Sequence, residues 1–586
     1  MKKLIALLMV LAMLLGMVAC SSSNEPAPAA EPAAEPAPEA AAASPDEPVY
    51  GGSLTVYFPQ LMTMFAQEAP DFSTATMWAE GLFGLDWANT ETNFTMEFSP
   101  YYTGQIADHW EVTDTQIIVT IRDDVYFQDK AAVGMGEYDI YGARQLKAED
   151  VKWSYDRLMG TGSGFTEPIP SMVDWRGMFS MVDSIETDGD YTVIFNCNDT
   201  SEIAMDHFIV NGFLVHIVGP EYGNLTPEQQ NDWRYAGGTG PYIAVEYEDS
   251  SYMTYKKNPN YYDYDERHPE NRLPYLDEVT FVNLQDTASI LSQFMAGELD
   301  VVGSNNQDVF TDAQKQQIAD TMAPGSYVAW GKYSNSLTLA MKQTIEPLKD
   351  PNVRQALQYA IDLRAINDQY FGYDELRLSS YFGEGTGFET DWDANPEMYA
   401  SYTTYDPELA KQMLSDAGYP DGFDLTLTYD PSGDTDIIEL VQFYLSQVGV
   451  NLTLDPQSDA TSRQAHWTDT TGNYIATMDM GTRGFSNGLN SITSTDSNYR
   501  YGKEDTMDQM VADIRAAKTL DELTTACKTL NDYYAEQHYS VYITPYRMMD
   551  TYVSGKVGGW DKPYNFYMAY TDTIMMARIW NVNGAG

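Results

Sequence analysis

From about residue 278 the sequence alternates regularly between strand-like and helix-like segments. The pattern predicts a strand in "EVTFVNL", a helix in "TASILSQFMA" that ends at Gly297, and a further strand in "LDVV" at residues 299 to 302. Parallel neighbours need a long crossover connection, which is usually a helix. The alternation therefore predicts a βαβ unit within an α/β protein.

The alternation continues after residue 350, where helix starts and stops are marked by suitable residues. Asp350 and Asp406 are each followed by proline, which is typical of the first positions of a helix. Gly418 is expected to end the second helix in a left-handed conformation, and Pro420 prevents its continuation. The strand "DLTLTY", the helix "IIELVQFYLSQV" and the strand "VNLTL" then predict a second βαβ unit.

The two ends of the folded part have their own patterns. Strands are predicted around residues 54 to 58 and in the hairpin-rich segment "DTQIIVTIRDDVYFQD", and one apolar face predicts a helix in "LKAEDVKWSYDRLM". Near the other end, residues 507 to 537 predict two helices, and "YSVYITPY" predicts a late strand that rejoins an earlier sheet.

The first twenty residues have the layout of a secretory signal. Lys2 and Lys3 precede an apolar stretch from Leu4 to Val18, which is shorter than the roughly 20 residues of a membrane-spanning helix. Ala19 before Cys20 resembles the bacterial lipobox, whose cysteine is lipidated after cleavage. The alternative is an ordinary cleaved signal with an incidental cysteine. We predict a signal peptide at residues 1–19 and a lipid anchor at Cys20.

Residues 20–48 are predicted to be the lipidated cysteine followed by a disordered linker. The linker is mainly Ala, Pro, Glu and Ser, a composition that cannot bury enough apolar surface to fold. At about 3.1 Å per residue, such a chain reaches up to roughly 85 Å from its anchor. The predicted location is therefore the extracellular face of the bacterial cell membrane.

Composition narrows the possible partners. The formal net charge is -53, which repels nucleic acid and anionic headgroups, so no nucleic acid partner is expected. The same charge suits either cationic ligands or an ordinary solvated acidic surface. Beyond Cys20, only Cys197 and Cys527 remain, and their separation leaves open whether they are free or paired.

A series of segments occurs in an order and spacing known from one family of receptors. In chain order they are "GGSLTV", "IADHWEVTDTQIIVTIRDDVYFQD", "KAEDVKWSYDRL", "GTGPY", "KKNPNYY", "LDEVTFVNLQDTASILSQFMAGELDVV", "LKDPNVRQALQYAIDLRAI" and "YDPELAKQMLSDAGYPDGFDLTLTY". This series resembles the family 5 extracellular solute-binding proteins, the peptide and nickel receptors of ABC importers.

The resemblance implies a fold and a division into domains. The fold is an α/β, two-lobed, periplasmic-binding-protein-like clamshell (type II, cluster C-like) with an additional N-terminal subdomain. Lobe I is expected at residues 49–85, 183–284 and 543–586, the subdomain at 86–182 and lobe II at 285–542. The ligand would bind between the lobes, and their closure would present a changed surface to a membrane permease.

The resemblance also points to a ligand-binding tract, "GTRGFSNGLNSI". Phe485 matches an aromatic contact of the peptide-binding members, but Gly488 stands where they carry an aspartate for the ligand's α-ammonium. A buried ammonium without a paired charge costs several kcal/mol, which argues against recognition of a free N-terminus. Asn487 and Asn490 can hydrogen-bond a neutral or blocked ligand, and Arg483 can meet a carboxylate. The alternative for Arg483, Asn487 and Asn490 is a loop position that faces solvent.

Two further residues of interest have competing interpretations. Ser486 lies in a G-x-S-x-G pattern, the nucleophile elbow of α/β-hydrolases, but the turn-rich "NGLNSITSTDSN" follows it where that motif needs a helix. We interpret Ser486 as a ligand contact. Trp87 either lines the cleft, as a sixth ligand-binding candidate, or fills the core.

No other chemistry is indicated by the sequence. It has neither a phosphate-binding G-x-x-x-x-G-K-[ST] loop nor an H-E-x-x-H zinc motif. "DPSGDTD" and "DYDERHPEN" are dense in oxygen ligands but lack EF-hand spacing, and turns are the better interpretation. The six scattered histidines are His109, His207, His216, His268, His466 and His538. No catalytic residue, metal or cofactor is expected.

The sequence therefore predicts a non-enzymatic, lipid-anchored, monomeric receptor that captures a small solute, an oligopeptide first, and delivers it to an ABC permease. A receptor for an oligosaccharide or a metal chelate is the alternative that Gly488 favours. A secreted serine hydrolase is the rival from a different class.

Overall fold

The structure is a computed structural model. It describes residues 47–59, 61, 65–66, 75–88, 99–167, 179–303, 310, 312–382, 387–431, 434–457, 462–463, 465–466, 472–480, 504–560 and 575–584. Among these residues, no helix combines the length and the apolar character needed to cross a membrane.

The strands are numbered in chain order. They are β1 (Ser53–Tyr57), β2 (Phe83–Leu85), β3 (Tyr102–Gly104), β4 (Ala107–Val112), β5 (Gln116–Ile121), β6 (Val182–Asp188), β7 (Thr192–Cys197), β8 (Tyr242–Glu248), β9 (Tyr252–Lys257), β10 (Tyr264–Asp265), β11 (His268–Arg272), β12 (Glu278–Val282), β13 (Val301–Val302), β14 (Tyr327–Ala340), β15 (Phe423–Tyr429), β16 (Val450–Pro456), β17 (Tyr474–Met480), β18 (Ser540–Tyr542), β19 (Arg547–Val553), β20 (Val557–Gly558) and β21 (Trp580–Asn581).

The α-helices are numbered in the same way. They are α1 (Ala148–Met159), α2 (Glu202–Leu214), α3 (Pro227–Gln230), α4 (Thr287–Ala296), α5 (Asp312–Thr321), α6 (Pro351–Tyr359), α7 (Leu363–Tyr370), α8 (Pro396–Thr403), α9 (Pro407–Asp416), α10 (Thr435–Ser446), α11 (Asp505–Ala516) and α12 (Leu520–Glu536).

One 11-stranded sheet runs through the molecule in the order β16-β15-β17-β14-β19-β13-β1-β12-β9-β8, and β18 also pairs with β14. We call β14 and β19 the linking strands, because they join the strands on one side to those on the other. The side with β13, β1, β12, β9 and β8 is the first lobe, and the side with β15 to β18 is the second lobe.

Both predicted βαβ units are confirmed. In the second lobe, β15 and β16 are adjacent and parallel, with Phe423 opposite Val450, and α10 connects them. In the first lobe, α4 connects β12 to β13, and β1 lies between these two strands, parallel to both. The predicted late strand is confirmed as β18, which pairs antiparallel with β14.

The predicted helix ends also agree with the structure. The Asp350 side chain accepts a hydrogen bond from the Asn352 N–H, and the Asp406 side chain accepts one from the Leu409 N–H. These bonds satisfy donors that have no partner within a helix. Gly418 has a φ of +95°, the left-handed conformation that glycine adopts at low cost.

Separate cores support the two lobes. The largest core, built around β1, β12 and their neighbours, includes Leu54, Val279 and Trp87, all at most 2% exposed. The second lobe has a core around β15 and β16 and another between β17, α11 and α12. Each face of the long sheet is thus covered by apolar side chains, as an α/β sheet requires.

A separate antiparallel sheet has the order β4-β5-β7-β6. Helix α1 packs on β6 and β7, with Val151 and Tyr155 fully buried, which confirms the apolar face predicted for this helix. The sheet joins strands on both sides of the boundary expected at residues 182 and 183, and the domain limits stay a prediction.

The two ends of the described fold lie side by side. The Asn581 Nδ2 atom donates a hydrogen bond to the Ser53 carbonyl at 3.0 Å. A Cβ on Gly52 would lie 2.4 Å from the Gly584 carbonyl oxygen, so the two backbones are in close contact.

The two cysteines of the folded part are free and buried. The alternative that the sequence left open, a Cys197–Cys527 disulfide, is therefore not the state of this structure.

Candidate ligand-binding site

Two sets of parallel strands end toward the same part of the linking strands. β13 is antiparallel to β19, which is antiparallel to β14, so β13 and its parallel neighbour β1 run in the direction of β14. On the other side, β17 is antiparallel to β14 and parallel to β15. The carboxyl ends of the two sets therefore point toward the middle of β14.

The register gives the distance between these ends. Val302 of β13 is opposite Tyr552, which is opposite Val328 of β14. Met480 of β17 is opposite Ser336. The strand from Val328 to Ser336 covers about 26 Å if it is extended. Since ligands of open α/β sheets bind beyond the carboxyl ends of strands, this part of β14 is the candidate ligand-binding site.

The second lobe contributes an ion pair at the edge of this site. Arg547, the first residue of β19, lies opposite Asn335 of β14 and is 7% exposed. Its guanidinium donates a hydrogen bond to the Asp434 carboxylate at 2.8 Å. Asp434 precedes α10, where its carboxylate binds Arg547 and forms no capping bond to the helix. The pair fixes the linking strand to the carboxyl end of β15.

The same linking strand, β19, carries a second buried charge. Asp550 lies opposite Trp330 on the linking strands, is 9% exposed and accepts a hydrogen bond from the Tyr552 hydroxyl. Lys315 of α5 lies 3.2 Å from its carboxylate. The linking strand β19 therefore carries two charges, Arg547 and Asp550, whose described partners lie within the chain.

Neutral polar side chains lie at the carboxyl ends of two strands of the first lobe, β1 and β12. Asn283, directly after β12, donates hydrogen bonds to the carbonyls of Phe58 at 3.0 Å and Pro59 at 2.6 Å. Tyr57, the last residue of β1, is 8% exposed, and burial raises the pKa of its hydroxyl. Asn283 thus holds the chain that follows β1, and the Tyr57 hydroxyl is a polar group at the carboxyl end of β1.

The predicted ligand tract begins at this point, directly after Met480. Arg483, Phe485, Ser486, Asn487 and Asn490, together with Gly488, lie outside the described residues. Their roles stay predictions. Cys20 also lies outside the described residues.

Trp87 is the one predicted ligand contact among the described residues. It is 2% exposed, and the Arg578 guanidinium lies 5.2 Å from its ring centroid. The ring thus packs in the core of the first lobe, and contact with a ligand stays a prediction.

Arg547 and Asp550 were missed by the sequence analysis. Both lie in "RMMDTYV", a strand whose charged residues would be unfavourable in a buried position unless they are paired. Charged residues in a strand that is otherwise suited to burial were the only sign in the sequence that these two side chains have charged partners. Their partners, Asp434 and Lys315, are too distant in sequence to be inferred from spacing.

The acidic segments considered for calcium are occupied by internal pairs. Asp265 is bound by Arg267 at 3.1 Å and Glu266 by Arg578 at 2.6 Å, within and beside the β10–β11 hairpin. Arg463 lies 3.0 Å from Asp430 at the end of β15. Within the described ranges, no group of His, Cys, Asp and Glu side chains is arranged to hold a metal ion.

Sequence comparison identifies the family. The profile of the bacterial extracellular solute-binding proteins, family 5 (Middle), matches residues 102–503, more than two thirds of the chain. This chain belongs to that family. The family 5 relationship confirms the resemblance inferred from the sequence segments.

Two characterised relatives of this family 5 protein match in part. The oligopeptide-binding protein AppA of Bacillus subtilis is 25% identical over 349 residues, 54% of this chain and 57% of AppA. The glutathione-binding protein GsiB of Escherichia coli is 28% identical over 233 residues, 39% of this chain and 41% of GsiB. The chain thus aligns with about half the length, or less, of these relatives.

Solved structures share the fold over nearly the whole chain. DppA of Helicobacter pylori, a periplasmic binding protein in complex with the peptide STSA, superposes with a TM-score of 0.68 and 16% identity, covering 91% of this chain and 98% of DppA. AppA of Bacillus subtilis, in complex with a nonapeptide, superposes with a TM-score of 0.66 and 19% identity, covering 92% of this chain and all of the AppA chain. The two-lobed α/β fold expected for a family 5 protein is therefore confirmed.

Proposed function

We propose that this protein is the substrate-binding lipoprotein of an ABC importer and that it captures an oligopeptide outside the cell. Its site is the region where the two sets of parallel strands end toward the linking strands. That convergence is the observation that carries the proposal, because it provides two opposed binding edges that the linking strands join. The family membership and the oligopeptide- and glutathione-binding relatives support the ligand class.

The described groups suit binding without chemistry. The charged residues of the site form pairs within the chain, and the remaining groups are hydrogen-bond donors and acceptors. Trapping would occur by hinge-type closure about the linking strands, whose register shifts between Gly331 and Ser334. The protein would then present its ligand, unchanged, to a membrane permease, while a lipid on Cys20 holds it at the membrane.

Native mass spectrometry of protein purified without denaturation tests this function. The expected result is a retained mass that fragments as a peptide. A retained oligosaccharide or metal chelate would instead support the alternative solute class. Stoichiometric labelling of Ser486 by a fluorophosphonate, together with turnover of an ester, would contradict the proposed binding function and identify a serine hydrolase.

The peptide's N-terminus gives a sharper test. Because Gly488 replaces the aspartate of the peptide-binding members, we expect the protein to bind an N-acetylated tetrapeptide at least as tightly as the same peptide with a free amino group. In the Gly488→Asp variant, the affinity for the peptide with a free amino group should rise about tenfold or more, since the buried ammonium then has a paired charge. Isothermal titration calorimetry of both peptides on both proteins measures this. If the native protein and the variant show the same preference between the two peptides, residue 488 does not contact the ligand's N-terminus.

A further inference from the structure

The start of helix α2 contacts both lobes. Ala204 and Phe208 of this helix pack in the core of the first lobe. Ile203, one residue earlier than Ala204, is 7% exposed and packs instead in the second-lobe core that contains Met478 and Met480. An apolar side chain from one lobe is therefore buried in a core of the other lobe.

Two polar contacts flank this apolar one. The Lys518 ammonium, between α11 and α12, forms an ion pair with Asp199, between β7 and α2. That hydrogen bond lowers the pKa of the Asp199 carboxyl. The Glu202 carboxylate accepts a hydrogen bond at 3.4 Å from the N–H of Leu520, the first residue of α12. Negative charge is favourable at a helix start, so Glu202 also suits the positive end of α12.

The ion pair is open to solvent, which limits its strength. The Lys518 and Asp199 side chains are 58% and 33% exposed. Exposed pairs of this kind change an equilibrium about two- to fivefold and weaken as salt rises. Such a factor is small for folding but large for a motion between two arrangements of similar free energy.

We propose that Asp199, Glu202 and Ile203 form an interlobe latch with Lys518 and the start of α12. The latch favours the closed arrangement of the lobes, taken as the arrangement in which these contacts form, and makes closure sensitive to salt. This inference rests on the proposed function, because closure is the step that traps the solute. It adds that the latch contacts contribute part of the free energy of closure even when no ligand is bound.

The latch is tested in the ligand-free mature chain with Cys20→Ser, by single-molecule fluorescence energy transfer. Labels are attached at Glu248→Cys in the first lobe and Glu439→Cys in the second, both at exposed positions. The native cysteines should not react, because burial raises the pKa of Cys197 to about 11 and raises that of Cys527 further above its ordinary value.

Sodium chloride is the only variable besides the substitution. We expect the closed-to-open ratio to fall two- to fivefold between about 50 mM and about 500 mM salt. Lys518→Ala should lower the ratio to the same extent at low salt and remove the salt effect. Lys518→Arg, the matched control, should behave as the native protein. The exchange Asp199→Lys with Lys518→Asp should restore the salt effect.

An unchanged ratio in Lys518→Ala at low salt would overturn the latch. So would a salt effect that is equally large in Lys518→Ala and in the native protein. Neither result depends on a ligand, whereas failure of the proposed function would show as the absence of a retained solute. The two failures are therefore distinguishable.

Discussion

Glu80 is a mostly buried carboxylate whose described hydrogen-bond donors are all neutral. Its Oε1 atom accepts from Gln105 at 2.9 Å and Tyr261 at 2.8 Å, and its Oε2 atom accepts from Thr239 at 2.7 Å and Tyr262 at 3.1 Å. Burial outweighs these bonds and raises the pKa of Glu80 to about 7. Three of these donors, Thr239, Tyr261 and Tyr262, come from "GTGPY" and "KKNPNYY", so two segments that carried the family resemblance meet at one side chain.

The pH dependence of stability should carry a contribution from Glu80. Because its pKa is raised on folding, the folded protein keeps a proton that the unfolded chain loses, and stability falls as pH rises from about 4.5 to about 7. Glu80→Gln should remove up to about 3 kcal/mol of that fall. Urea unfolding of both proteins at pH 5 and pH 8 measures the difference. Glu186→Gln, on an exposed strand position, is the control, and an equal fall in native protein and Glu80→Gln would contradict the prediction.

Arg354 should be among the side chains on which the second lobe depends most. It is 1% exposed, donates to the carbonyls of Gln537 and Leu348, both at 2.7 Å, and lies 4.8 Å from the Tyr539 ring centroid. Arg354→Met leaves these buried carbonyls without donors and should lower the free energy of unfolding by about 3 kcal/mol or more. Lys411→Met, which removes only a surface pair with Glu408, should change it by less than about 1 kcal/mol. Comparable losses in the two variants would show that the Arg354 bonds contribute little.

At the scale of elements, the parallel strands β15 and β16 are positioned by glycines at their starts. A Cβ on Gly422, just before β15, would lie 1.8 Å from the carbonyl oxygen of Gly449, just before β16. Gly422 also has a φ of +74°. The close approach of these two backbones fixes the register in which Phe423 is opposite Val450.

Alanine substitutions at Gly418 and Gly422 distinguish the cost of a positive φ from the cost of a steric clash. Gly418→Ala and Gly422→Ala both place a side chain at positive φ, but only position 422 has atoms within 4 Å of the new Cβ. We expect Gly418→Ala to cost about 1 kcal/mol of unfolding free energy and Gly422→Ala to cost several kcal/mol more. Chemical denaturation of the two variants side by side tests this. Equal costs would mean that the strands separate easily at this end.

Elements with strong local signals were predictable, and those set by distant partners were not. Asp350, Asp406 and Gly418 act on their own helix ends, so the sequence alone was enough to place those ends. The linking strands carry no such signal, since β14 in "YVAWGKYSNSLTLA" mixes polar and apolar residues and its partner β19 begins more than 200 positions later. The ion pairs at the candidate site depend on that pairing, and were missed for the same reason.

At the scale of the whole molecule, the linking strands join two lobes that have cores of their own. The second lobe could be predicted from its βαβ pattern, whereas the first lobe is assembled from separate parts of the chain, including β1 and β12. Only the family resemblance indicated that assembly. The ligand residues 483 to 490 were predicted by resemblance alone, and stay predictions.

Lipidation should decide where the whole molecule is found. We expect Cys20→Ser to move the protein from the detergent phase to the aqueous phase in Triton X-114 partition, because the acyl chains provide its only predicted anchor. Intact mass measurement should show the loss of the lipid. Ser21→Ala, at the neighbouring position, should leave partition unchanged. Native protein that already partitions into water would contradict the anchor.

The hydrogen bond between Asn581 and Ser53 has a practical consequence for engineering. Because the first and last described strands lie together, a short flexible linker can close the chain there, and new ends can be cut into the exposed turn before α9, near Tyr405. Such a circular permutant would carry both termini on the second lobe. A fluorescent protein fused to one of these new ends would be carried by the second lobe, and a second fluorophore on the first lobe would then report the distance between the lobes.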